Sequence, residues 1–278
     1  MSFTQSQRKA ALHILQDVPD IDRTLPIWAR RTNPIIRRQL GAHWRVFPPQ
    51  VEPLIKWVVF QIALMLLTIP YSFLFLLILT AIVAAGVLLP YALYLYVRIL
   101  ANIINDVTSA MVAEYENDTL TLLRVAPFSA LEIILSKMTA AIWRRADDLE
   151  QVLGLTVALT LPVVAAIYLP QWPPTEYPWV AQILSISALL TSLLRLPLEM
   201  FMVSGIAAMM SAATHNRSTA FLGTGVLVFF YFLLLNLPRL LSHALAVQFV
   251  LEIVLPLVLP LIFGLGALWA TLRMVEHD

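Results

Sequence analysis

The chain of 278 residues contains no cysteine. That excludes disulfides, thiolate metal sites and cysteine nucleophiles. Charge is also scarce: 13% of residues are Asp, Glu, Lys or Arg, against roughly 25% in an ordinary soluble domain. The sequence has no Gly-x-x-x-x-Gly-Lys-Ser/Thr loop, so it is not expected to hydrolyse ATP by itself. It has no His-Glu-x-x-His, and His13, His43, His215, His243 and His277 are too scattered to form a metal site by spacing. Serine occurs without a nucleophile elbow. No short apolar core with a small-residue cleavage site stands near the start, so the first spanning helix is expected to direct insertion. The net charge of +1 gives no indication of a nucleic-acid partner.

What the chain has in excess is apolar surface. Hydrophobic residues make up 60% of it, concentrated in long runs from Leu54 onward, whereas the first fifty residues are polar and basic. A soluble fold cannot hide that much, because a large part of any fold stays exposed. A spanning helix needs about 20 apolar residues. The uncharged run from Trp57 to Val97 is long enough for two, with a turn at Pro70 to Ser72. The remaining breakers and runs give expected spans at about 54–71, 73–97, 152–169, 183–213, 220–237 and 248–272. Sixteen of the eighteen Lys and Arg fall on one side of this arrangement. The positive-inside rule then puts both termini in the cytoplasm. The expected fold is all-α, a polytopic protein of about six transmembrane helices. Residues 1–50 form a cytoplasmic segment, 51–278 the transmembrane domain, and 98–150 a cytoplasmic loop within it.

Asn33-Pro34 reads as a helix start, with Asn as cap and Pro at the first helical position. Over about 34–46, Ile36, Leu40 and Trp44, continued by Phe47, form one apolar stripe, with Arg37, Arg38 and Arg45 off it. Such a helix is expected to lie in the membrane interface. In the loop, Asn117 and Asp118 are turn residues, Pro127 ends a short helix from about Thr119 to Arg124, and Ser129 with Glu132 forms a capping box. A short helix between two breaks suits a partner protein.

Arg195 and Glu199 are four residues apart in the fourth span and share a helix face. A mutual ion pair is favoured over a substrate contact, because charge at bilayer depth is usually paired. The small residues from Ser204 to Ala213 suit close helix packing, within the chain or at a dimer seam.

The loop resembles the first cytoplasmic loop of exporter-type (type-two) permease subunits of ABC transporters. Glu116, Thr119, Leu120, Leu123, Pro127, Ser129, Glu132, Ile133 and Lys137 stand at matching positions; Asp118, Ala126 and Ser136 depart from the usual residues. Asn33-Pro-Ile-Ile-Arg-Arg-Gln-Leu40 is similar to the opening of many such subunits, and Met210 to Ala220 to their turn between the fourth and fifth spans. The resemblance implies a subunit in the cell membrane that binds no cofactor itself, docks a separate ABC ATPase carrying ATP and magnesium, and pairs with a second permease chain. Its coupling residues would be Glu114, Glu116, Asp118, Thr119, Leu122, Leu123, Pro127, Phe128, Ser129, Glu132 and Lys137. Two other readings are weighed beside it. A non-transporting membrane scaffold fits the same topology. A membrane prenyltransferase fits poorly: Asn105-Asp106-Val-Thr-Ser109 begins like a magnesium-diphosphate cluster, but Ser109 stands where a second Asp is needed.

Overall fold

A computed structural model of the chain describes residues 25–30, 32–40, 51–68, 70–117, 128–168, 178–240 and 245–277. The described residues form helices and their connections, without strands. Nine α-helices follow among them: α1 Pro34–Leu40, α2 Val51–Leu67, α3 Phe75–Glu116, α4 Ala130–Arg144, α5 Ala146–Tyr168, α6 Pro178–Thr214, α7 Arg217–Asn236, α8 Leu245–Phe249 and α9 Leu255–His277. A π-helical turn at Val250–Val254 joins α8 to α9.

Four helical stretches are long and apolar enough to cross a membrane: Ala81–Glu116, Gln182–Thr214, Arg217–Asn236 and Val247–Glu276. They mark the chain as a membrane protein. The helix at Pro53–Leu67 is apolar but shorter. α2 stops ahead of Pro70, and a 3₁₀ turn at Ser72–Leu74 leads into α3. The turn between α6 and α7 is as tight. His215 takes a left-handed conformation (φ 50°), and the Asn216 side chain accepts from the backbone N–H groups of Ser218 and Thr219.

α6 runs through the centre. It packs most extensively on α9, and also on α3, α5 and α7. Small residues let α6 and α9 approach closely. A Cβ on Gly205 would sit 3.2 Å from the Gly264 carbonyl oxygen, and one on Gly264 would sit 2.8 Å from the Phe201 ring. Ser204, Gly205, Ala207, Ala208, Ser211 and Ala212 are all buried within the chain, so that stripe serves internal packing.

α3 departs most from expectation. Instead of ending near Val97 it continues unbroken past Pro90 and Arg98 to Glu116, 42 residues in all. The cause is a second apolar stripe, Ile99, Ile103, Val107 and Met111, which is buried on the core and spaced to line one helix face. The described parts of 98–150 are thus the helical arms on either side of the two expected breaks, distal α3 and α4, followed by the start of α5.

Candidate functional site

Distal α3 and α4 are held to each other by charged contacts. α4 starts on the expected capping box: Ser129 Oγ accepts from the Glu132 N–H at 3.2 Å, and the Glu132 carboxylate accepts from the Ser129 N–H at 2.9 Å. Both groups satisfy donors that a helix start would leave open. One side of α4 then turns onto α3. Lys137, almost wholly buried, reaches Glu114 at 3.2 Å and donates to the Ala110 carbonyl at 3.0 Å. Burial pushes the Lys137 ammonium below the usual lysine range; Glu114 opposes that shift, and nearby Arg38 adds to it. Further along, Asp106 takes Arg144 at 3.2 Å and Arg145 at 2.8 Å. The turn after α6 is tied in as well, since Arg217 donates to Asn105 at 2.9 Å.

α1 lies against α4. Asn33 caps it by accepting from the Ile35 N–H at 2.9 Å, and its amide donates to Ser136 Oγ at 3.0 Å inside the protein. Ile36 and Leu40 are buried against Ala140 and Trp143 of α4. The apolar face expected in the acyl boundary is thus taken by protein over the described part of this helix. Arg37 and Arg38 are exposed, and Arg144 donates to the Gln39 carbonyl. Trp44, Arg45, Asp118, Thr119, Leu122, Leu123 and Pro127 lie outside the described residues. Glu116 is exposed at the end of α3.

Between α1, α3 and α4 a groove of about 530 Å³ remains, walled by Arg38, Asp106, Glu114, Phe128, Lys137 and Arg144 among others. Among the expected site residues, Glu114, Phe128, Lys137 and Arg38 meet here. Residue patterns do not single out Arg144 of the groove wall, or Arg145, which meets Asp106 beside it, and they raise Asp106 only within Asn105-Asp106-Val-Thr-Ser109. A lone acid one arm away from an Arg-Arg pair is the signal they carry.

A second polar cluster lies deep in the bundle. Glu199 of α6, 2% exposed, accepts from Arg195 Nε at 2.5 Å, from the Tyr231 hydroxyl of α7 at 2.8 Å, and from the Tyr96 hydroxyl of α3. Arg195 also lies 6.0 Å from the Phe232 ring centroid. Three donors and a ring from three helices therefore enclose one carboxylate. The tyrosines carry no sequence signal, because nothing in their spacing brings α3 and α7 to this point. Among the described residues no group of three or more His, Asp or Glu is placed to hold a metal ion. No family model, curated protein or solved structure matches the chain.

Proposed function

We propose that this chain is the transmembrane permease subunit of an ABC transporter of the exporter type, with six spans and both termini in the cytoplasm. ATP and magnesium would be handled by a separate cytoplasmic ATPase subunit, and a second permease chain, identical or similar, would complete the pathway across the cell membrane.

One observation carries the reading. The helices on either side of the 118–127 connection are braced to each other and to α1. Lys137 joins α4 to α3 at Glu114, Arg144 and Arg145 join it at Asp106, and Asn33 joins α1 to Ser136. A load applied to the connection therefore passes into α3 and, through α4, into α5 as one body. That is the mechanical requirement for converting closure of an ATPase into a change of membrane helices. An ATPase that binds one arrangement better shifts the population toward it.

The test is purification of the full chain from its native membrane in mild detergent, with mass spectrometry of what accompanies it. A stoichiometric soluble protein with a Walker A motif, lost when 119–129 is replaced by a flexible linker, is the expected result. A stable preparation without any ATPase overturns the proposal.

A further inference from the structure

A second groove, of about 220 Å³, runs along the flank of the bundle between α3 and α5. Leu89, Leu93 and Tyr96 wall it on α3, and Val152, Leu159 and Val163 on α5. Leu89 and Leu93 are exposed, so the groove opens sideways. Three hydroxyls reach it, and each is already engaged. Tyr96 donates to Glu199, Thr156 to the Val152 carbonyl at 2.8 Å, and Thr160 to the Thr156 carbonyl at 2.6 Å while meeting Ser192 Oγ at 3.0 Å. What the walls offer an occupant is therefore carbon. Such a space does not hold water, because a bound water needs polar partners. Without an occupant the walls would lose dispersion contacts on their open side.

Depth and length select that occupant. Arg98 is the first charge of α3, and it meets Asp148 near the start of α5 at 2.8 Å. Along α3, Tyr96 stands about 3 Å inside Arg98 and Leu89 about 13 Å inside it. The α3 wall is thus about 10 Å long, and the α5 wall, from Val152 to Val163, about 16 Å. One leaflet of the hydrocarbon core is about 15 Å thick. The groove therefore begins just inside the membrane surface on the Arg98 side and runs along the helices for the depth of a leaflet. Its inner end lies beside Pro90 of α3 and Pro162 of α5, and prolines are where long helices bend.

We infer that this groove binds one acyl chain of a phospholipid from the leaflet on the Arg98 side. The chain packs between α3 and α5 as far as their prolines, and so holds the two helices at a set spacing in front of the Tyr96–Glu199 contact. The inference needs the membrane location of the protein and does not depend on the permease reading.

The experiment uses the full chain in vesicles of phosphatidylethanolamine and phosphatidylglycerol, with a trace of phosphatidylcholine carrying a photoreactive diazirine on one acyl chain. Peptide mapping after illumination locates the adducts. Those at Leu93 and over 156–163 should exceed those at Leu222 and Phe229 of α7, which are more exposed than Leu93, roughly fivefold. A diazirine near the ester should mark Tyr96 and Val152, and one at the chain end Leu89 and Val163. Thr156→Phe and Ala92→Phe place a ring in the groove from opposite walls, and each should remove the groove adducts while leaving those on α7 unchanged. The chain has no cysteine of its own, so Leu93→Cys adds a check: mild oxidation should yield no disulfide between two copies. Even labelling of the groove and α7 overturns the inference, as does a reversed depth order. So do groove adducts that persist in a folded Thr156→Phe or Ala92→Phe chain, or a disulfide between two Leu93→Cys chains, which would put a second copy over the groove. If both filled variants fail to fold, the depth order in the unaltered chain decides.

Discussion

Lys137 and Glu114 meet at 3.2 Å where α4 crosses the end of α3, with side chains 3% and 12% exposed. The pair is the innermost of the ionic contacts between the two arms. Removing one member of a buried pair typically costs about 3–5 kcal/mol, because the other charge is left without a partner. Lys137→Met should therefore destabilise the protein by about 3 kcal/mol in thermal or denaturant unfolding in detergent. Replacing both, with Lys137→Met and Glu114→Leu, should recover most of that loss.

The same lysine gives a signed pH dependence. Its native pKa is lowered from the usual 10.5 by burial. Between that lowered value and 10.5 the unfolded chain binds more protons than the folded one, so this group's contribution to stability rises with pH; below the window its burial cost is fully present. The margin of the unaltered protein over Lys137→Met should accordingly widen as pH climbs toward 10.5 in unfolding measurements. A margin independent of pH would contradict the assignment.

Glu199 accepts from three donors, Arg195, Tyr96 and Tyr231. Tyr231→Phe removes one hydrogen bond to a charged group and should cost about 1.5–3 kcal/mol. Glu199→Leu strands the arginine as well and should cost more than that, at least about 3 kcal/mol. Unfolding of the two variants side by side checks the order, and a smaller loss for Glu199→Leu than for Tyr231→Phe contradicts it.

Ser129→Ala removes the accepting half of the capping box and should cost about 1 kcal/mol. The loss should be local, so amide exchange should rise in the first turn of α4 and not in α6.

Gly264→Ala puts a methyl group 2.8 Å from the Phe201 ring and 3.2 Å from the Met202 Cα. Overpacking of this kind usually costs about 1–3 kcal/mol. Gly266→Ala, two residues on, meets nothing within 4 Å and should be neutral in the same assay.

Much of this architecture was legible in residue order. The uncharged run from Trp57 to Val97, interrupted at Pro70, marks two helices and a turn, and the structure has both. Ser129 and Glu132 announce the start of α4 by chemistry that is local to four residues. Other features depend on contacts that no local pattern encodes. α3 passes the first charge, Arg98, because its further stripe is buried by other helices, and a charge alone does not end a helix. Ile36 and Leu40 form an amphipathic face, but periodicity says only that such a face will be buried, and not whether lipid or α4 buries it. Arg195 and Glu199 could be paired from spacing along one helix. Tyr96 and Tyr231 come from helices far apart in sequence, so only the packed bundle brings them to Glu199.

The uninterrupted course of α3 makes it a lever with its softest point off-centre. Proline in a helix interior removes a backbone hydrogen bond and is where a long helix bends, and the proline inside α3 is Pro90. From there the helix extends about 39 Å to Glu116 and about 22 Å to Phe75. A rotation about that fulcrum moves the Glu116 end nearly twice as far as the Phe75 end. For the same angle of bending, the long arm thus carries the charged contacts with α4 further than the short arm carries the turn toward α2.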